Sequence, residues 1–135
     1  MRVVFDANIL VSALTLPGGS GERAIDAVLE GRAQLLLSKP IIGETLGVLG
    51  RKFARDGEDL ARVAVFLADL AELVAPGRSV RVLDDEPDNR ILECASAGGA
   101  DLIVTGDRAM LALRHFDGSQ IVTLREFLRR VAISV

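Results

Sequence analysis

The chain has 135 residues, 50% of them hydrophobic, which suits one domain with an ordinary core, and we expect no second domain. Its single cysteine excludes an intramolecular disulfide and a cysteine-based zinc or iron–sulfur site, and indicates an intracellular protein. The formal net charge of -3 excludes a surface coated in positive charge. However, all but two of the 16 basic residues are arginine, so the charge neither requires nor excludes a polynucleotide partner.

The first predicted element is a strand at residues 2–5, inside the opening sequence MRVVFDANIL. This segment lacks the basic start and the cleavage site of a signal peptide, and no apolar run has the length of a membrane span. We therefore expect a soluble, cytoplasmic protein with no membrane partner. Asp6 and Asn8 interrupt the apolar run, and a buried carboxylate needs a hydrogen-bond partner, an opposite charge or a cation.

The glycine-rich sequence LPGGSGE at residues 16–22 is predicted to form a loop between this strand region and the first helix. It lacks the GxxxxGK[ST] spacing and the lysine of a phosphate-binding loop. We interpret it as a plain connection.

Further apolar runs at residues 35–38, 101–104 and 119–122 predict buried strands, and residues 80–83 form a shorter apolar run. Apolar spacing and start and stop signals predict helices between them, at residues 40–51, 60–71, 87–98 and after 123. The alternation indicates a three-layer α/β/α domain around a mainly parallel sheet. No linker or repeat interrupts the chain, so residues 1–135 are predicted to form a single domain.

Acidic residues follow the predicted strands, at the edge where a parallel sheet binds its ligands. The four acids are Asp6, Glu44, Asp88 and Asp107. Taken singly, Asp88 and Asp107 are explained as helix N-caps and Glu44 as a solvated helix residue. Four distant acids brought to one edge would repel one another, which favours a bound cation.

The residue types indicate which cation this is. Mg²⁺ and Mn²⁺ take oxygen ligands, whereas zinc favours histidine and cysteine, and a phosphate ester is the natural substrate at such an ion. His115, the only histidine, is interpreted as a loop or helix-end residue, and no GxSxG elbow supports a serine hydrolase. Cys94 is interpreted as a small core residue.

Several segments together carry a family resemblance: FDAN at residues 5–8, a glutamate early in the helix after the second strand, DEPDNRILECA, GADLIVTGD and TLREFL. In this order and spacing, over nearly the whole chain, they resemble the PIN-domain nucleases, and among them the VapC-like toxins of toxin–antitoxin pairs. The resemblance implies a PIN fold and Mg²⁺- or Mn²⁺-dependent hydrolysis of RNA phosphodiesters. It also implies a homodimer and a cognate antitoxin. The helices near residues 40–53 and 59–73 would supply the dimer surface or the surface that contacts the antitoxin, or they belong to the core.

Matched position by position, the resemblance implies that the metal-binding and catalytic residues are Asp6, Glu44, Asp88 and Asp107. It implies that Asn8 and Thr105 hydrogen-bond the carboxylates or the metal-bound waters. Arg90 and Arg108 are the arginines expected to meet RNA phosphate, and an ordinary surface charge explains each of them equally well.

The sequence departs from the family pattern at Ala109, where many relatives have a further acid, which leaves a fifth ligand and a second metal open. Asp84, Asp85 and Glu86 are interpreted as exposed loop charges, with Asp85 the first to reconsider.

Two other functions are kept as alternatives: a catalytically inactive PIN-fold interaction module, and a metal-dependent phosphatase of the haloacid-dehalogenase type. Retention of the four acids disfavours the module. The phosphatase requires a lysine near the later acids, as a two-component receiver domain does, but the only lysines are Lys39 and Lys52. The phosphatase also has a DxD pattern, and here Asn8 stands in place of its second acid.

Overall fold

The protein is described by a computed structural model that covers residues 1–133, so the last two residues of the predicted domain lie outside the described part. In chain order the elements are β1 (Arg2–Phe5), α1 (Ala7–Thr15), α2 (Ser20–Leu29), β2 (Gln34–Leu37), α3 (Lys39–Phe53), α4 (Gly57–Leu70), β3 (Glu72–Leu73), α5 (Glu86–Gly98), β4 (Leu102–Val104), α6 (Arg108–Leu113), β5 (His115–Phe116), β6 (Ser119–Val122) and α7 (Leu124–Ile133).

The strands form one sheet in the order β3-β2-β1-β4-β6-β5, flanked by helices. Every neighbouring pair is parallel except β5 with β6, which is antiparallel. The central strands are apolar on both faces because helices cover both sides, as parallel sheets require. The predicted α/β/α architecture with a mainly parallel sheet is confirmed.

The core lies where the central strands meet in register. Val4 is paired with Leu36 on one side and Ile103 on the other, and all three side chains are fully buried. Phe5 meets Phe127 of α7 edge to face, with ring centroids 5.3 Å apart, which ties the last helix to the central strand. This packing fixes the carboxyl ends of β1 and β4 side by side.

The chain turns directly from β1 into a helix that the sequence did not predict. The apolar residues after Asp6 belong to α1, because the Asp6 carboxylate accepts the Ile9 N–H and starts the helix there. The prediction of one loop over residues 16–22 before a first helix was therefore wrong. Only residues 16–19 connect α1 with α2, and Gly18 turns the chain with a φ of +77°.

Three smaller features also differ from the predictions. Residues 80–83 form no strand, whereas β3 and β5 are two-residue strands that the sequence did not indicate. His115 lies exposed in β5 and not in a loop or at a helix end.

Cys94 is fully buried, as expected, and burial raises the pKa of its thiol to about 12. Within residues 1–133 no helix combines the length and apolarity that a bilayer crossing demands.

Candidate functional site

An acidic pocket lies at the carboxyl edge of the sheet, where β1 and β4 end and α1, α3 and α5 begin. Its polar lining consists of Asp6, Asn8, Glu44, Asp85 and Asp88. Pro40, Ile41, Pro87 and Ile91 supply apolar walls. The sequence predicted ligands at this edge because the strands are parallel. Of the four predicted acids, Asp6, Glu44 and Asp88 line the pocket, and Asp107 does not.

Asp6 is the most buried acid of the pocket, with 4% of its surface exposed. Its backbone N–H donates to the Val104 carbonyl at 3.1 Å, which ties it to the end of β4. One carboxylate oxygen accepts the Ile9 N–H at 2.9 Å, and the other accepts the hydroxyl of Thr105. Burial raises the pKa of Asp6, and these hydrogen bonds act against the rise.

Thr105 connects the two acids that follow the central strands. It is fully buried, donates its hydroxyl to Asp6 and accepts the backbone N–H of Asp107 at 3.0 Å. Asp107 in turn accepts the Met110 N–H at 2.9 Å and caps α6. The hydrogen bond from Thr105 to a carboxylate is the contact that the family resemblance implied for this residue.

Asp88, in the first turn of α5, is the acid whose surroundings disfavour its charge most visibly. Partial burial, followed by the negative charges of Asp107, Asp85 and Asp6, raises the pKa of its carboxyl to about 6. The repulsion expected from the sequence is therefore present in the folded protein.

The remaining residues of the pocket come from α1, α3 and the start of α5. Glu44 lies half-buried on α3, and Asn8 is exposed in the first turn of α1. Asp85 occupies the N-cap position of α5, but its side chain makes no capping hydrogen bond and lines the pocket. The interpretation of Asp85 as an exposed loop charge is corrected: it is exposed, but it belongs to the acidic site. Its spacing of three residues before Asp88, across a proline-containing helix start, was the available signal.

The two candidate arginines have different surroundings. Arg90 pairs with Glu93 at 2.9 Å and with Glu86 at 3.3 Å, and it donates to the Val80 carbonyl at 3.3 Å. Its guanidinium is therefore engaged within the protein, and the structure offers no support for its expected contact with RNA. Arg108 is exposed on the first turn of α6, immediately after Asp107.

The donor set of the pocket fits a hard divalent cation. Carboxylate oxygens prevail, with no histidine or cysteine in the lining, and the mutual repulsion of Asp88 and Asp107 is of the kind that a cation relieves. Among residues 1–133 no three acidic, histidine or cysteine side chains are already grouped as a metal site.

Comparison with known proteins places most of the chain in one family. Residues 2–109 match the family model described as the PIN domain. Uncharacterized protein MJ1680 of Methanocaldococcus jannaschii is 26% identical over 118 residues, which cover 84% of this chain and 76% of that protein.

Solved structures share the fold at low sequence identity. VapBC-1 from nontypeable Haemophilus influenzae is similar with a TM-score of 0.64 at 14% identity, over 93% of this chain and 99% of that chain. VapBC2 from Rickettsia felis, bound to a DNA fragment from its promoter, has a TM-score of 0.63 at 13% identity, over 91% and 98%. PAE2754 from Pyrobaculum aerophilum has a TM-score of 0.63 at 18% identity, over 98% and 90%.

Proposed function

The chain belongs to the PIN domain family, and we propose that it is a metal-dependent endoribonuclease that hydrolyses RNA phosphodiesters. The observation that carries the proposal is the meeting of Asp6, Glu44 and Asp88 in one pocket, with Asp107 close enough to raise the pKa of Asp88. Family membership sets aside the phosphatase of the haloacid-dehalogenase type. The inactive PIN-fold module is the alternative that experiment must exclude.

We further propose that the protein is the cytoplasmic toxin of a toxin–antitoxin pair, a homodimer held by a cognate antitoxin. Two of the similar solved structures are VapBC assemblies, and their fold matches this chain over more than nine-tenths of its length. The support is the shared fold together with the segments that resemble the VapC-like branch.

The residues that would hold Mg²⁺ or Mn²⁺ are Asp6, Glu44, Asp88 and Asp107, with Asp85 at the same pocket. When bound, the ion would acidify a water molecule and offset negative charge on the phosphoryl oxygens. Thr105 keeps the Asp6 carboxylate in one orientation and orders the backbone of Asp107, so the two acids that follow the strands hold a fixed geometry.

Three residues have a further part in this proposal. Asp88, whose pKa of about 6 in the metal-free protein reflects burial and neighbouring acids, would bind the ion in its charged form. Arg108, exposed beside Asp107, meets an RNA phosphate. The side chain of Asn8, at the pocket wall, orients a water or a carboxylate.

The test compares wild-type protein with Asp6→Asn on a pool of RNA with Mn²⁺. We expect wild type to cleave and chelator to stop it, and we expect Asp6→Asn to lose cleavage with an unchanged or higher stability without metal, because one repelling charge disappears. Asp84→Asn is the matched control, since Asp84 is exposed and does not line the pocket. Full activity of Asp6→Asn would contradict the mechanism, and an inactive wild type would favour the interaction module.

A further inference from the structure

Asn89 is a fully buried polar residue near the start of α5 that the proposed reaction does not use. Its carboxamide oxygen accepts the N–H groups of Val82 at 3.2 Å and Leu83 at 2.9 Å. Its nitrogen donates to the Leu83 carbonyl at 2.8 Å and to the Glu86 carboxylate at 3.4 Å. An asparagine side chain offers two acceptor and two donor positions, so its hydrogen-bonding capacity is fully used.

The backbone that Asn89 holds has no regular structure of its own, since residues 82–85 form consecutive bends before α5. One step upstream, the Val80 N–H donates to the Glu93 carboxylate at 2.8 Å. Asn89 and Glu93 are four residues apart and therefore lie on the same face of the helix. The hydrogen bonds that shape the segment before α5 thus come from α5 itself.

The segment that Asn89 closes, which includes the last bends and the first turn of α5, contains two acids of the pocket. Asp85 and Asp88 both lie between Leu83 and Asn89, and both line the pocket with Asp6. Because the Asp85 carboxylate makes no capping bond, its position depends on the backbone that carries it. A change in the Leu83 backbone would move Asp85 relative to Asp88.

We propose that Asn89 is a positioning residue, whose carboxamide holds the bends at residues 82–85 against the first turn of α5 so that Asp85 and Asp88 together face the cation-binding pocket. This inference rests on the proposed function for the meaning of the pocket. Asn89 touches neither ion nor RNA and acts only through the backbone of Val82 and Leu83. Its two-sided bonding explains why asparagine suits the position: aspartate lacks the donor that the Leu83 carbonyl requires, and alanine lacks both groups.

The experiment uses Asn89→Ala with Ser119→Ala as the matched control. Ser119 is also fully buried and makes one hydrogen bond, to the Ala100 carbonyl at 2.7 Å, but it lies at the amino end of β6, away from the pocket edge. Three quantities are measured for each protein. They are the rate of tryptic cleavage after the exposed Arg81 without metal, the affinity for Mn²⁺ alone by titration, and kcat and KM for RNA cleavage.

For Asn89→Ala we expect faster cleavage after Arg81, Mn²⁺ affinity weakened by about tenfold or more, and a lower kcat with KM unchanged. Ser119→Ala loses stability yet keeps all three quantities at wild-type values. If Asn89→Ala does not fold, Asn89→Ser replaces it, because one hydroxyl cannot make all of the bonds of the carboxamide.

Unchanged cleavage after Arg81 would overturn the inference, and so would wild-type Mn²⁺ affinity and kcat in a variant whose loop is released. A wild-type protein that binds Mn²⁺ but cleaves no RNA would defeat the proposed function instead. In that case the proteolysis and the Mn²⁺ titration still decide the role of Asn89.

Discussion

At the scale of single residues, hydrogen bonds keep the acidic side chains close together although their negative charges repel one another. Asp6 and Asp107 each accept a backbone N–H at a helix start, and Thr105 joins them. These bonds stabilise charged carboxylates in a partly buried setting. Asp88 lacks comparable support, and its raised pKa is the result.

Asp88→Asn tests this repulsion through the pH dependence of stability. The folded pKa of about 6 exceeds the ordinary 3.8, so between these values the folded protein binds the proton more tightly than the unfolded chain. The Asp88 contribution to stability therefore falls as pH rises from about 4 to about 6 and stays low above that. We expect metal-free Asp88→Asn to melt at a higher temperature than wild type at pH 7.5, with the gain vanishing near pH 4.

Thermal melts of the two proteins across this pH range check the prediction, with Asp84→Asn as the exposed control. A gain that persists at pH 4, or no gain at pH 7.5, would show that the charge of Asp88 is not the cause.

At the scale of elements, the helices α1, α5 and α6 all begin at the carboxyl edge of the sheet. Their N-cap positions are occupied by Asp6, Asp85 and Asp107. The place where each helix begins therefore also sets the place of an acidic side chain. The location of α1 is in turn set by its packing on α2. Gly21 of α2 is buried there, and a Cβ at this position would lie 2.8 Å from the Ala13 backbone nitrogen of α1.

Gly21→Ala is expected to destabilise the protein by about 1–3 kcal/mol, because backbone atoms of α1 must move to admit the methyl group. Gly43→Ala is the matched control within α3. A Cβ at Gly43 meets nothing within 4 Å, so the change to alanine should stabilise by up to about 1 kcal/mol through helix propensity. Urea unfolding of the two variants gives both values, and equal effects would show that α1 and α2 do not pack as described.

At the scale of the whole molecule, the sheet brings together acids from four separate parts of the chain, and a cation links them thermodynamically to folding. An ion that binds only the folded state stabilises it by mass action, by about 2.7 kcal/mol at a concentration 100 times Kd. A PIN-fold module without a working site would show no such effect.

We expect Mn²⁺ to raise the melting temperature of wild type at pH 7.5, chelator to reverse the rise, and Asp6→Asn to show little of it. The rise should shrink at pH 5.5, because protonated Asp88 must release its proton before it can bind the ion. Scanning calorimetry with and without Mn²⁺ measures these shifts. Equal shifts in wild type and Asp6→Asn would place the ion outside the pocket.

The sequence by itself determined the strands at residues 2–5 and 119–122 and the helix starts near Pro40 and near Pro87. It also determined four acids that fall at strand ends or just beyond. These follow from local patterns, since apolar runs, prolines and glycines act on the backbone within a few residues. The edge at which the acids meet also followed, because parallel strands end on one side. The α1 helix escaped prediction because a short apolar run suits a strand and a buried helix alike.

Only the tertiary structure decided which polar groups touch. Thr105 donates a hydrogen bond to Asp6, which lies 99 positions away in the sequence. Arg90 forms ion pairs with Glu93 and Glu86. Asp85 lines the pocket at the end of a segment that Asn89 holds by hydrogen bonds. A hydrogen bond depends on distances of a few tenths of an ångström, and no spacing in the sequence sets them. The packing of the sheet and α5 sets those distances. The sequence therefore predicted which residues are candidates for the site, but not which groups they form hydrogen bonds or ion pairs with.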